Sequence, residues 1–242
     1  VLTASGRKIK VTKDHSLFTL GEDNLLQETT PTDLEENKSF IAVPRFLPIE
    51  GREVKWINLI NHLENFKEDF LQGAPVGKML EKYNHRKMGV EKERFRWWKK
   101  NNIIKVEEFM KIGEKFSHEE FGQIRIKSKN KSSIPVLFEI NKEFLEFCGL
   151  WVGDGSYDNY NRNSVILSNV DKECIYVFMK IKDYIGAEYS SMNDGGVSLR
   201  IHSSVFYKMM KRVLGFDGYS NTKKVPEFIF NLSNEQIKQL GF

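Results

Sequence analysis

Cysteine is nearly absent from this chain. Its 242 residues include two, Cys148 and Cys174, without the spacing of metal ligands and too few for a disulfide framework. Long apolar runs are missing as well: none approaches the roughly 18 residues of a membrane span. The opening residues also lack the basic, apolar and small-residue succession of a signal peptide. A soluble protein of the reducing cytoplasm, with no membrane partner, is the expectation. Net charge is a modest +4, so its distribution matters more than its total. What the chain does have is apolar material, 40% of its residues. That is enough for a substantial core and for two compact units, or one with an appendage.

The stretch from Phe144 to Tyr157, FLEFCGLWVGDGSY, reads as a helix apolar nearly all round. Gly149 and Gly153 share one face, where a partner backbone could approach closely. Asp154-Gly155 is expected to end it, with the glycine in the left-handed conformation that closes helices. Asp154 then sits beside the negative end of the helix dipole, which is unfavourable. A divalent cation would reverse that sign. By itself, a buried helix ended by Asp-Gly is common without any chemistry. The nine residues from Phe147 to Gly155, however, resemble the LAGLIDADG motif of homing endonucleases, with Gly149, Asp154 and Gly155 on its central glycine, its acid and its final glycine. Val152 stands where the motif has a variable position. The resemblance implies that Asp154, with Gly155, helps bind Mg2+ and is catalytic.

The start, GRKIKVTKDHSLFTL, alternates as a half-buried strand does, and Gly21 to Asn24 reads as a turn into another strand. Gly6, Ile9, Thr12 and His15 fall into a G-x-x-I-x-x-T-x-x-H pattern, similar to a block of inteins and related self-processing domains. A histidine at a strand end is otherwise commonly structural. The resemblance implies that Thr12 and His15 polarise the peptide bond at an upstream splice junction, with His15 the main catalyst. Ser39 to Pro48, SFIAVPRFLP, resembles the intein segment leading out of the splicing domain. Inteins are the proteins in which a LAGLIDADG nuclease interrupts that domain, so the two blocks reinforce each other. No Cys or Ser nucleophile stands at Val1, and no His-Asn pair or second motif acid precedes Phe242. The expectation is therefore an internal portion of an intein, unable to splice or cut alone.

From about Gly51 to Phe116 the apolar spacing becomes helical, at Trp56, Leu59, Ile60 and Leu63 and again at Met79, Leu80 and Tyr83. Between Lys78 and Lys131 basic residues outnumber acidic ones by eight. Val90 to Ile104 holds Arg94, Arg96, Lys99 and Lys100 among Phe95, Trp97 and Trp98. Helix, turn at Gly89 and basic helix fit a helix-turn-helix-like module on DNA. The plainer reading makes the aromatics core and the charges a solvated face. Ser117 to Ser133 reads as a connector, whose Lys127 and Lys129 are further candidates for contact with the DNA backbone.

Beyond the central helix a small α+β domain is expected. Strands are predicted over Ser164 to Ser168, Glu188 to Met192 and Val197 to His202, the last two around a turn at 193–196, with helices over Lys172 to Ile185 and Val205 to Leu214. The resemblance implies a saddle-shaped antiparallel sheet whose outward residues read DNA. Arg200 and His202, on one face of a strand, are candidate contacts. Thr222 to Phe230 resembles the Lys-x-hydrophobic-Pro block before the second nuclease motif, which implies a catalytic role for Lys223 near the scissile phosphate. Ser233 and Gln236 form a capping box for a helix too short to cover Gly149 and Gly153.

The sequence thus predicts an α+β protein in three parts: a partial Hint splicing domain (1–48), a helical basic DNA-recognition region and linker (49–135), and a LAGLIDADG domain (136–242). The implied function is Mg2+-dependent cleavage of double-stranded DNA within a parent intein that also engages host exteins. The alternative is a DNA-binding protein on the same scaffold that does not cut.

Overall fold

The computed structural model describes residues 1–4, 6, 8, 10–21, 23–42, 51–129, 132–158, 164–168, 171–193, 197–218 and 222–241. Ile9 of the first block, Glu22 of the expected turn, 43–48 of the segment ending at Pro48, Lys131 and turn residues 194–196 lie outside them. The chain forms two compact units, Val1–Pro48 and Ile49–Phe242.

In the first unit, strands β1 (Leu17–Leu20) and β2 (Leu26–Thr29) pair antiparallel, Leu17 opposite Thr29 and Leu20 opposite Leu26. Among the described residues of the opening segment, the predicted strand pattern is limited to β1 and an isolated bridge between Leu2 and Lys8. A turn breaks it: the His15 N–H donates to the Thr12 carbonyl at 3.2 Å. Leu17 is the one buried apolar residue of this unit among the described residues, whereas Phe18, Leu25, Leu26 and Phe40 are exposed.

The second unit continues with β3 (Trp56–Asn58), a 3-10 stretch (Leu59–Phe66), β4 (Phe70–Gln72), α1 (Ala74–Glu81), α2 (Lys92–Asn101), β5 (Ile103–Lys105), α3 (Val106–Ile112) and α4 (His118–Phe121). Then come β6 (Arg125–Lys127), β7 (Ser133–Pro135), β8 (Leu137–Glu139), the central helix α5 (Lys142–Asp154), β9 (Gly155–Tyr157), β10 (Ser164–Ser168) and α6 (Lys172–Tyr184). The last elements are β11 (Glu188–Asn193), β12 (Val197–His202), α7 (Ser204–Lys208) running on as a π-helix (Met209–Val213), α8 (Glu227–Phe230) and α9 (Asn234–Lys238).

The region predicted as helical to Phe116 in fact interleaves helices with three-residue strands, and the order β5-β4-β6-β7 forms an antiparallel sheet. Runs of three residues carry too few alternations to register against a helical period. Ser117 to Ser133 is likewise not a bare connector but supplies α4 and β6. Nor is there a helix-turn-helix: residues 82–91 separate α1 from α2, far longer than the three- or four-residue turn of that motif. The two helices still pack closely, because Gly77 leaves room for Asn102, whose Oδ1 would lie 2.1 Å from an added Cβ.

One continuous core runs from Ile57 through Leu71, Leu80, Trp98, Ile126, Phe138, Phe147 and Ile201 to Leu240. Lys208 of α7 crosses it to reach Asp69, with its Nζ donating to Oδ2 at 2.6 Å and both side chains buried. Burial raises the Asp69 pKa, with Lys208 opposing. The second antiparallel sheet, in the order β11-β12-β10-β9, turns Val165, Leu167, Leu199 and Ile201 inward. α5 and α6 pack on each other, and α5 packs on β9 and β10. Among the described residues no helix is long and apolar enough to cross a membrane.

Candidate functional site

The Asn141 side chain starts α5, accepting the Phe144 N–H at 2.9 Å. Six apolar or small residues between Phe144 and Trp151 are buried, which fixes the helix firmly and carries its end to the edge of the sheet. Gly149 serves the close approach its position suggested: the Leu240 carbonyl oxygen would lie 1.7 Å from an added Cβ. The chain after α9 therefore does cover Gly149, contrary to the expectation from helix length, because the backbone beyond the helix lies on it. Gly153 stays open, with nothing within 4 Å of its Cβ position. A groove of about 750 Å3 runs along this side of α5, lined in part by Gly153, Asp154, Cys174, Tyr176 and Leu240.

Gly155 is not the predicted left-handed cap. Its φ of -78° and ψ of 154° are extended, and it opens β9. Its need for glycine is steric: an added Cβ would meet the Trp151 ring at 2.3 Å. A strand that leaves a helix end beside a tryptophan has no space for a side chain there.

Asp154 is exposed at the C-terminus of α5. The structure brings Lys223 to the same place, and in a role that sequence alone did not show. Its Nζ donates to the carbonyls of Trp151, Val152 and Gly153 at 3.0, 3.3 and 3.2 Å and lies 4.9 Å from the centre of the Trp151 ring. A cation on the last carbonyls is the favourable complement to the helix dipole. Burial lowers the Lys223 pKa and Asp154 partly opposes the shift. The unfavourable charge at the helix end, which a divalent cation was expected to relieve, is thus relieved by an ammonium group.

The fit to Mg2+ is incomplete. The ion demands near-octahedral oxygen ligation, and Asp154 offers one carboxylate while Lys223 takes the neighbouring carbonyls. Among the described residues no three His, Cys, Asp or Glu side chains are grouped to hold a metal. Gly155, expected beside Asp154 at the metal, is buried.

Arg200 and His202 share the outer face of the sheet as predicted, yet both are engaged. Arg200 Nη1 lies 2.9 Å from Asp158 Oδ2, the two side chains being 14% and 6% exposed. His202 is held between the Ser164 hydroxyl, 3.2 Å from Nδ1, and the Ser190 hydroxyl, 2.9 Å from Nε2. Sequence patterns did not single out Asp158 or the two serines. Strand alternation could have placed Ser164 and Ser190 on this face, but nothing local pairs Asp158 with a residue so distant in sequence.

On α2, Phe95 and Trp98 are buried while Arg94, Arg96, Lys99 and Lys100 are exposed. Trp97 is 50% exposed, so the two tryptophans part company: one is core and the other surface. Arg96 pairs with Glu93 at 2.8 Å. The Trp97 ring meets Phe70 edge-on at 6.4 Å. Phe70 lies between Lys105 and Lys127 in the ladder. Lys129 is exposed in the turn that follows β6. Thr12 and His15, exposed at either end of their turn, belong to the other unit.

Taken together, these features define a mixed α+β protein built on small antiparallel sheets, with an acid at the end of a buried helix and a basic helical surface. No family model matches the chain. It is 25% identical over 246 residues to an uncharacterized protein, MJ1054, of Methanocaldococcus jannaschii, an alignment covering 96% of this chain and 27% of that protein. It is also 30% identical over 116 residues to the DNA-directed RNA polymerase subunit Rpo1C of the same organism, covering 46% of this chain and 13% of that one. The chain thus spans less than a third of the length of the curated relatives it matches.

Proposed function

We propose that the chain is the nuclease-bearing portion of an intein: a LAGLIDADG-type homing endonuclease that cleaves a long double-stranded DNA site by metal-dependent hydrolysis, joined to part of a Hint splicing domain. The observation that carries this reading is Asp154. A carboxylate is presented to solvent at the end of a buried helix whose Gly149 admits another backbone and whose next residue enters an antiparallel sheet. That sheet offers a polar outer face of Arg200, His202 and serines. The exposed cations of α2 add a surface suited to phosphates. The two relatives support the reading in a different way, since nearly all of this chain aligns with a minor part of one protein and 46% of it with a minor part of a differently named one, as an inserted element would.

When bound, Mg2+ would supply an activated water and stabilise the leaving oxygen. Asp154 would be one of its ligands. The work of this chain's own residues is to bind phosphates from α2, to present one carboxylate and to hold its helix end rigid through Lys223. Thr12 and His15 would polarise the upstream junction of the parent precursor, whose exteins are the splicing partners. Replacing His15 with Ala in that precursor should abolish thiol-induced cleavage there, and unchanged cleavage would refute the role.

DNA binding through α2 is tested by Lys99→Gln/Lys100→Gln. Affinity for every duplex should fall about equally, and the salt dependence should flatten by about one unit of slope for each phosphate no longer neutralised. An unchanged slope would make these lysines an ordinary solvated face. A second reading, a DNA-binding protein that does not cut, is favoured by the lone acid and by Lys223's three carbonyl bonds. Incubation with DNA carrying the uninterrupted insertion site separates the two.

A further inference from the structure

A second groove, of about 710 Å3, lies between β3, the π-helix and the segment entering α8. Its lining shares no residue with α2, with the end of α5 or with the outer face of the β11-β12-β10-β9 sheet. Trp56, 51% exposed, stands at it. Trp56, Ile57 and Asn58 of β3 all border it, with Ile57 buried and Trp56 the exposed one. Exposing half a tryptophan costs hydrophobic burial that the neighbouring core would readily have supplied.

The charged groups around it are mostly cationic. Arg212 comes from the π-helix and Lys224 from the segment before α8, with His62 beside them and Glu227 the one acid in the lining. Neither Arg212 nor Lys224 is within ion-pair distance of a carboxylate among the described residues. Asn61, also in the lining, is exposed and offers both a donor and an acceptor. A planar aromatic face, two cations outside any close ion pair and an exposed amide form a set that matches one kind of ligand: a base to stack, phosphates to neutralise and a base edge to hydrogen-bond. The π-face of a base is accessible to Trp56 only when that base is unpaired.

We infer that this groove binds unpaired nucleotides of a nucleic-acid strand, with Trp56 as stacking platform and Arg212 and Lys224 as phosphate contacts. The inference does not rest on the nuclease assignment. It is tested on the full chain by fluorescence anisotropy with short mixed-sequence single strands of DNA and of RNA, and with the matching DNA duplex. Trp56→Ala should weaken single-strand binding roughly five- to a hundredfold, leave duplex binding unchanged and be mimicked by Arg212→Glu/Lys224→Glu. Trp97→Ala should not reproduce it. A preference for the RNA or the DNA strand would tell which of the two it takes. Single-strand affinity unchanged in both groove variants would overturn the proposal. So would an equal loss on duplex and single strand, or displacement of the strand by inorganic phosphate at the same concentration in wild type and Trp56→Ala. Loss of duplex binding in the α2 variants alone would bear on the nuclease reading and leave this one standing.

Discussion

The two units of this chain bury their apolar residues very differently. Residues 49–242 enclose one core with three antiparallel sheets among the described residues, β5-β4-β6-β7, β11-β12-β10-β9 and the pair β3-β8, and with crossing helices, whereas 1–48 offer a hairpin with Leu17 alone buried among the described residues. A two-stranded hairpin is marginal in water without a further layer. The buried apolar residues that stabilise the chain therefore lie almost entirely in the second unit among the described residues. Thr12 and His15 are exposed at either end of their turn. The helix that ends at Asp154, by contrast, is buried along most of its length.

The largest test of that contrast is the ion pair inside the second unit. Asp69→Ala leaves Lys208 buried without its partner and should cost about 3–5 kcal/mol, read from the denaturant midpoint. Because burial raises the Asp69 pKa, the folded state takes up a proton more readily than the unfolded one. Its contribution to stability should therefore diminish as pH rises through the window just above the ordinary carboxylate value. Asp69→Asn should flatten that dependence. A pH profile identical in wild type and variant would show that the pair carries no such linkage.

Next in size is Gly149→Ala, which drives a Cβ into the Leu240 carbonyl and should cost about 1–3 kcal/mol by overpacking. Gly153→Ala, where space is open, should be tolerated, and equal costs at the two glycines would contradict the close approach. Lys223→Met removes three charge-assisted bonds from the end of α5. Partial exposure discounts them, so about 1–2 kcal/mol is expected. Since burial lowers the Lys223 pKa, wild-type stability should rise as pH climbs through the window just below the ordinary lysine value of 10.5. The Met variant should lose that slope. Smallest of all, Leu26→Ser on the exposed hairpin should change stability by no more than about 0.5 kcal/mol. A loss comparable to that at Asp69 would break the contrast between the units.

What the sequence showed depended on how local the cause was. The strands Ser164–Ser168 and Val197–His202 follow from alternation, and the Ser233 capping box forms with Gln236 as read. The same Gln236 also exchanges two bonds with the Val54 backbone, a pairing no local pattern encodes. Three-residue strands were hidden inside helical spacing. Gly155 was correctly required to be glycine but for the wrong reason, since crowding by Trp151 and not a left-handed turn excludes a side chain. The resemblance gives Lys223 a catalytic role near the scissile phosphate, whereas its hold on three carbonyls at the end of α5 is visible only in the fold. Asp158 and Arg200 meet only because β9, β10 and β12 are neighbours in the sheet.

The proposed role of Asp154 is that of the acid of a nuclease site. The direct measurement is cleavage of duplex DNA bearing the uninterrupted insertion site by the full parental intein, wild type against Asp154→Asn, with binding to the same duplex measured in parallel. Mg2+-dependent double-strand cleavage by the wild type, its loss in Asp154→Asn and equal DNA affinity in both are expected. Cleavage by the variant at the wild-type rate, or none by either protein, would contradict that role.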